Sequence, residues 1–346
     1  APHFHPHVTG VMETETEGHE SYFLANLARK RLQKLAGRRG LDAEQPFFLR
    51  VDFYGPHAPY LVSKEFLDMY PTDAIQEYGN FRDDLSDKPA VYMKEWNDPF
   101  GSDHRLKTPS VMDWSEWQRI LRYVYAHVTQ VDAAGGIVLD ALEEFGFADD
   151  TLVIWTSDHG DPIAAHGGHF GKESFLSEES IRIPMAMKWP GRIEPGQNTN
   201  ALVSNMDVPT SILDAAGTSF QGPVDSRNLL DLVDQDGRVS TTSSEWRQDL
   251  VIETHGHHWE KVVGRAVVTD RLHYATYNFL ETPDFARPED NTDQMVELYN
   301  LESDPYQLEN LARKPGSKSA VKDCHARLVR WRTATNDTYP IFEPPA

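Results

Sequence analysis

Residues 151–172, TLVIWTSDHGDPIAAHGGHFGK, crowd two carboxylates, three imidazoles and an ammonium into one short stretch. Asp158 and His159 stand just beyond the apolar run LVIW, and His166, His169 and Lys172 lie on the loop that follows. An acid, imidazoles and a cation converging on one strand end are the residue types that hold a metal ion and an anionic group. Gly160, Gly167 and Gly168 let the chain fold tightly around such a centre. A capped strand with a solvated polar loop has the same composition, and spacing alone leaves both readings open. His57 is a second candidate, in GPHAPY, where two prolines fix the backbone and deny it a helix. A turn histidine bonded to its own loop is the alternative there. His3, His5 and His7 alternate in HFHPH, so on an extended segment they face one way, as metal ligands or as a solvated terminus.

The elements that must position these groups are legible from periodicity. The run at 152–155 predicts a fully buried strand, and PFFLRVDF at 46–53 predicts another, ending just before His57. Ligands of open α/β sheets sit at such carboxyl ends. Helical spacing predicts helices over 20–35, closed by Gly37, and over 115–145, closed by Gly146, with Gly135-Gly136 marking close packing or a break. Helix, short turn, buried strand is the grammar of a parallel sheet. Further on, strands are expected at 185–189 and 201–204, and a helix at 207–216 with an Asp207 cap and Gly217 at its end. A polar stretch at 218–248 suits a boundary. Strands at 250–253, 262–269 and 272–277 and a helix near 318–333 read as a small antiparallel sheet with one helix. Residues 71–110 are irregular and carry Tyr78, Phe81, Tyr92, Trp96 and Phe100, which suits a substrate-pocket wall or a solvated insertion.

With 346 residues, 39% hydrophobic and 25% charged, the chain can bury a large core. Its 54 acids against 33 bases leave a formal charge of −21, which argues against nucleic-acid and anionic-membrane partners. A single cysteine, Cys324, excludes disulfides within the chain and reads as a structural or surface thiol. No run reaches the ~18 apolar residues of a membrane span. The N-terminus has no signal-peptide pattern and begins with Ala, as after removal of an upstream segment, so location is undetermined.

Several segments, in order, resemble the sulfatase family of the alkaline-phosphatase-like superfamily: PFFLRVDFYGPHAPY, VDAAGGIVLDALEEFGFADDTLVIWTSDHG, HGGHFGK, EESIRIPMAMKWPG, DVPTSILDAAG and ELYNLESDPYQLENLA. The resemblance runs from about residue 20 to residue 313. It implies an α/β fold with a large mixed sheet between helices, a catalytic domain at 1–217 and a C-terminal subdomain at 218–346. It implies hydrolysis of sulfuric esters at a site with one divalent cation, commonly calcium. The imidazole of His159, where many members have Asn, also suits manganese, zinc or iron. By resemblance Asp158 and His159 are metal ligands, His57 contacts the sulfate and protonates the leaving oxygen, and Lys172 neutralises a sulfate oxygen. His166 and His169 are weaker candidates for substrate contact.

One departure stands out. The family's Asp-Asp metal pair and its C/S-x-P-S-R motif, whose Cys or Ser becomes the formylglycine nucleophile, are absent from the 346 residues. The expectation is therefore a sulfatase lacking its N-terminal, nucleophile-bearing portion, inactive as an isolated chain. Its exposed sheet edges would favour an oligomer or a complementary N-terminal chain. The substrate would be a sulfated small molecule or saccharide. A phosphoester or phosphonate monoester hydrolase of the same superfamily, and a non-catalytic anion-binding subunit, are the competing expectations.

Overall fold

Two long helices carry the first half of the molecule, and both follow from apolar spacing. In the computed structural model, residues 9–38, 46–92, 112–172, 175–240, 245–255, 262–279, 295–342 and 344 are described. His3, His5, His7, Trp96 and Phe100 lie outside them. Helix α1 (Glu20–Ala36) begins where the His19 ring accepts the Ser21 amide at 3.2 Å and ends at Gly37. Helix α3 (Trp114–Glu144) is opened by a reciprocal capping box between Asp113 and Glu116. Their contact buries Leu32 with Ala141, Leu142 and Phe147. Burying one such large side chain contributes about 1.5–3 kcal/mol. The half-exposed Arg29–Glu144 pair beside it contributes about 0–1 kcal/mol, so packing decides how the helices sit. Further along α3, His127 is buried beside the His19 and Tyr60 rings, and burial holds its imidazole down at about 4, which keeps it neutral.

Short strands flank α3. Strand β1 (Thr9–Val11) pairs in parallel with β2 (Tyr60–Val62), whose Tyr60 and Val62 point inward and Leu61 outward. Helix α2 (Lys64–Asp68) follows, with Phe66 and Leu67 packed near Ala126. Strand β3 (Val153–Thr156) pairs with β4 (Met185–Lys188), but antiparallel, not in the parallel arrangement expected from the helix–turn–strand succession. Nor is β3 fully buried: Trp155 is 38% exposed. One face of its indole fills the notch at Gly135, where a Cβ would lie 2.5 Å from the ring, and Phe53 lies 6.0 Å away between ring centroids. Gly135 thus marks close packing, whereas a Cβ at Gly136 would meet nothing within 4 Å.

The buried strand expected at 46–53 does not form. That segment has no ladder partner among the described residues, and Phe48 is 70% exposed. Residues 201–204 likewise form no strand. Helix α4 (Glu178–Ile181) precedes β4, and α5 (Asp207–Ala215) follows residues 201–204. Asp207 sits inside the first turn of α5, and its carboxylate faces Arg247, so it is not the predicted cap.

The C-terminal part holds the antiparallel sheet β5 (Leu250–Thr254), β6 (Val262–Val268), β7 (Leu272–Phe279) and β8 (Val296–Asn300), in that order. Helix α6 (Lys318–Thr335) covers one face, packing Val321, Cys324 and Leu328 on Val267, Tyr274 and Leu298. Burial pushes the Cys324 thiol up to about 11, in keeping with a structural role. The other face receives Leu85, Val91, Tyr92, Phe175 and Leu176 from the preceding half. Residues 79–92 are therefore packed chain, with Leu85, Lys88 and Tyr92 fully buried, and not a solvated insertion. Among the described residues no helix is long and apolar enough to cross a membrane.

Candidate active site

Strand β3 delivers Ser157, Asp158 and His159 to its carboxyl end, and Asn205 braces them there. The Asn205 amide donates to the Ser157 carbonyl at 2.9 Å and the Asp158 carbonyl at 3.3 Å. Asp158 is largely exposed and accepts the His159 amide at 2.9 Å, while its second oxygen lies 3.3 Å from His159 Nε2. The His159 Nδ1 is 2.9 Å from the Gly160 carbonyl, which can only accept, so Nδ1 carries the proton. In the neutral ring Nε2 then offers its lone pair beside the Asp158 carboxylate, the arrangement a metal ligand needs.

His57 is oriented in the same manner. Its Nδ1 lies 2.6 Å from the Ala58 carbonyl and 3.0 Å from the Tyr54 hydroxyl, which leaves Nε2 turned away from its own loop. The turn carrying it packs on α3 so closely that a Cβ at Gly55 would sit 2.6 Å from His127 Nε2. Asp161, which the sequence reading passed over, ties the candidates together. Burial raises its carboxyl above the ordinary range, and Lys172, His159 and His57 pull it back, joined by the Gly171 amide. Its Oδ1 is buried with no hydrogen-bond partner among the described residues. His57, His159 and Lys172 thus all act electrostatically on one carboxylate, and an acid two residues past His159 was the available signal.

His166 and His169 are placed differently. His166 is fully buried in a left-handed backbone conformation, with φ of 44°. Its Nδ1 is 3.1 Å from Asp83 and its Nε2 is 3.2 Å from Glu179, so neither nitrogen is left for a substrate. Burial alone would lower this imidazole, but Asp83 and Glu179 outweigh it and hold the pKa above its ordinary value. Burial would raise Glu179, yet His166 and Asn80 hold it down at about 2. His169 is also fully buried, its ring 4.5 Å from Phe175 and 6.1 Å from Tyr92 between centroids. Substrate contact is an expectation that the burial of both histidines contradicts.

The His166–Glu179 pair sets a pH window. The contribution of His166 is fully present below its ordinary value of 6.5 and is lost as pH rises through the raised folded value. That of Glu179 is present above its ordinary 4.5 and is lost as pH falls towards about 2. Urea midpoints measured from acid to alkaline pH are expected to be highest between those ordinary values. Glu179→Gln should flatten both limbs, and an unchanged profile in that variant would contradict the assignment.

Asp158 and His159 supply two ligands with suitable chemistry, whereas calcium takes six to eight oxygens. Among the described residues no group of three or more His, Cys, Asp or Glu side chains could hold a cation. The described residues alone do not make a complete metal centre. A cleft of about 430 Å³ lined by Tyr70, Tyr78, Tyr125 and Tyr306 lies apart from these residues.

Residues 14–218 match the sulfatase family profile. The chain belongs to the sulfatase family. Residues 165–334 match a second profile, described as N-sulphoglucosamine sulphohydrolase, C-terminal. A sulfatase of Formosa agariphila is 28% identical over 304 residues, covering 86% of this chain and 54% of the relative. The chain spans about half the length of the curated relatives it matches. A protein solved in complex with its substrate D-glucosamine-2-N,6-O-disulfate superposes with a TM-score of 0.72 at 19% identity, over 92% of this chain and 71% of that one. The phosphonate monoester hydrolase of Agrobacterium radiobacter gives 0.69 at 21% identity, over 94% and 62%. These likenesses establish the alkaline-phosphatase-like fold.

Proposed function

We propose that this chain carries the anion-binding half of a sulfuric-ester hydrolase acting on a sulfated saccharide. The observation that carries the proposal is the Asp158–His159 pair braced by Asn205 at the end of β3. With it, the His159 and His57 rings are each held by Nδ1 on a backbone carbonyl, and His57, His159 and Lys172 all act electrostatically on Asp161. In this reading Lys172 neutralises a sulfate oxygen. His57 is held with its Nδ1 proton on the Ala58 carbonyl, so Nε2 faces away from its loop and donates to the leaving oxygen when the ring is in its imidazolium form. Asp158 and His159 contribute two ligands to a divalent-cation shell, calcium by family habit, with manganese or zinc suited to the imidazole. When bound, such a cation supplies charge stabilisation for the sulfuryl group as negative charge grows on the leaving oxygen. The saccharide class comes from the glucosamine disulfate bound by the solved relative.

No C/S-x-P-S-R motif occurs in the 346 residues, so the formylglycine nucleophile and the remaining metal ligands come from residues outside them. A complementary segment or partner chain supplies these. The pure 346-residue chain is therefore expected to give no repeated turnover of an aryl sulfate, and sustained turnover by it would overturn this part of the proposal. A second reading, phosphonate or phosphate monoester hydrolysis, is favoured by the fold shared with the Agrobacterium radiobacter enzyme. Turnover of aryl sulfate and aryl phosphonate by a complemented protein, measured side by side, distinguishes the two.

A further inference from the structure

Helix α4 touches the candidate site on two sides through one residue. The Gly160 amide donates to the Ser180 carbonyl at 2.8 Å, and a Cβ at Gly160 would lie 1.9 Å from the Glu179 carbonyl oxygen. The backbone of Glu179 is thus the surface on which the Asp158–His159 strand end rests. Its side chain meanwhile accepts from Asn80 Nδ2 at 2.6 Å and meets His166 on the loop that leads to Lys172. Asn80 also receives the Gly167 amide at 3.2 Å.

From His166 the interaction continues inward through buried groups. Asp83 lies 3.1 Å from His166 and 3.7 Å from the Lys88 ammonium. Lys88, fully buried, donates to the Tyr299 hydroxyl at 2.8 Å and to the Gln307 carbonyl. Tyr299 donates to Glu297 at 2.9 Å, and Glu297 also accepts from Tyr277 at 2.6 Å. Glu178, the neighbour of Glu179, is joined to the same sheet by His273 at 3.0 Å and by Gln307, whose Oε1 accepts the Glu178 amide at 2.8 Å.

We propose that Glu179 and His166 are positioning residues that register the β3 strand end and the Lys172 loop on the C-terminal sheet. The proposal rests on the functional reading above only in naming what is positioned. Buried ionic chains contribute little net stability compared with apolar packing, and fixing a unique arrangement is their best-attested use. Here the arrangement fixed is the spacing of Asp158, His159 and Lys172. A clamp of charge-assisted hydrogen bonds also depends on the imidazolium. His166 is faced by Asp83 and Lys88 from the 83–92 segment, by the Tyr92 ring, and by Glu179 from α4. The two carboxylates favour its charge and Lys88 opposes it.

The test uses the full chain, with amide hydrogen exchange at Gly160 and Gly167 and calorimetric titration of inorganic sulfate. Glu179→Gln and His166→Gln are each expected to speed exchange at both amides about tenfold or more, the scale of losing a charge-assisted hydrogen bond. Amides in the middle of α1 and α3 should be unchanged. Sulfate affinity should fall by a similar factor. In the unsubstituted chain, protection at Gly160, corrected for intrinsic exchange, should fall as pH rises through the His166 titration. His166→Gln should show no such step. Unchanged exchange in both variants overturns the positioning role, as does a pH-independent profile in the unsubstituted chain, which decides the matter should neither variant fold. No sulfate binding by the unsubstituted chain overturns the functional reading and leaves exchange to judge the clamp.

Discussion

Gly160→Ala is expected to be among the most damaging single substitutions in the chain. The added Cβ would lie 1.9 Å from the Glu179 oxygen and 2.9 Å from its carbonyl carbon, and these are backbone atoms that cannot rotate aside. Either α4 or the strand end has to move, and moving them breaks the Gly160–Ser180 hydrogen bond. Overpacking of this kind costs about 1–3 kcal/mol or somewhat more, and backbone contacts belong at the upper end. A lower urea midpoint with unchanged slope is the expected result. Gly136→Ala is the control, because its Cβ meets nothing within 4 Å and the position is helical. There the change should stabilise by about 0.5–1 kcal/mol. Equal effects at the two glycines would show that the close approach at Gly160 is not what the structure indicates.

Asp207→Ala is expected to have the larger effect. The carboxylate is fully buried and accepts Arg247 Nη2 at 2.6 Å, the Ser204 amide at 2.8 Å and the Arg227 amide at 2.8 Å. Removing it strands a guanidinium that is itself nearly buried and orphans two amides. Breaking one side of a buried ion pair costs about 3–5 kcal/mol. Arg247→Ala should cost a comparable amount, and the double variant should cost much less than the sum. Denaturant unfolding of the three proteins measures this, and additive losses would contradict a shared bond. Asn205, two residues before Asp207, braces the strand end, so the damage reaches the candidate site.

The long helices were legible because their cause is local. Ala25, Ala28 and Leu32 in α1, and Trp117, Ile120 and Leu121 in α3, announce one buried face each. The sulfatase resemblance was carried in the same way, by contiguous motifs. The run PFFLRVDF misled because hydrophobicity signals a strand, but a strand also needs ladder partners, and its described surroundings provide none. Strand β8 escaped notice because VELYN contains Glu297, whose burial depends on tyrosines from β7 and from residue 92. His166 read as a candidate for substrate contact for the same reason in reverse. Its partners, Asp83 and Glu179, are 83 and 13 residues away, and no local pattern announces them. Asp161 escaped because its significance lies in what surrounds it.

Chain separation also governs when the clamp can close during folding. Lys88 waits for Tyr299 and Gln307, 211 and 219 positions further on, and Asp87 waits for Asn310, 223 positions on. Contacts this distant form slowly because loop closure must precede any gain from them. A chain emerging from the ribosome therefore builds α1 and α3 early, while the loop before Lys172 has no sheet to lie on until residue 310 is made. Exchange-protected Gly160 and Gly167 should be absent from nascent chains that stop short of β8. Tyr299, Gln307 and Asn310 thus finish the arrangement of residues laid down more than a hundred positions earlier.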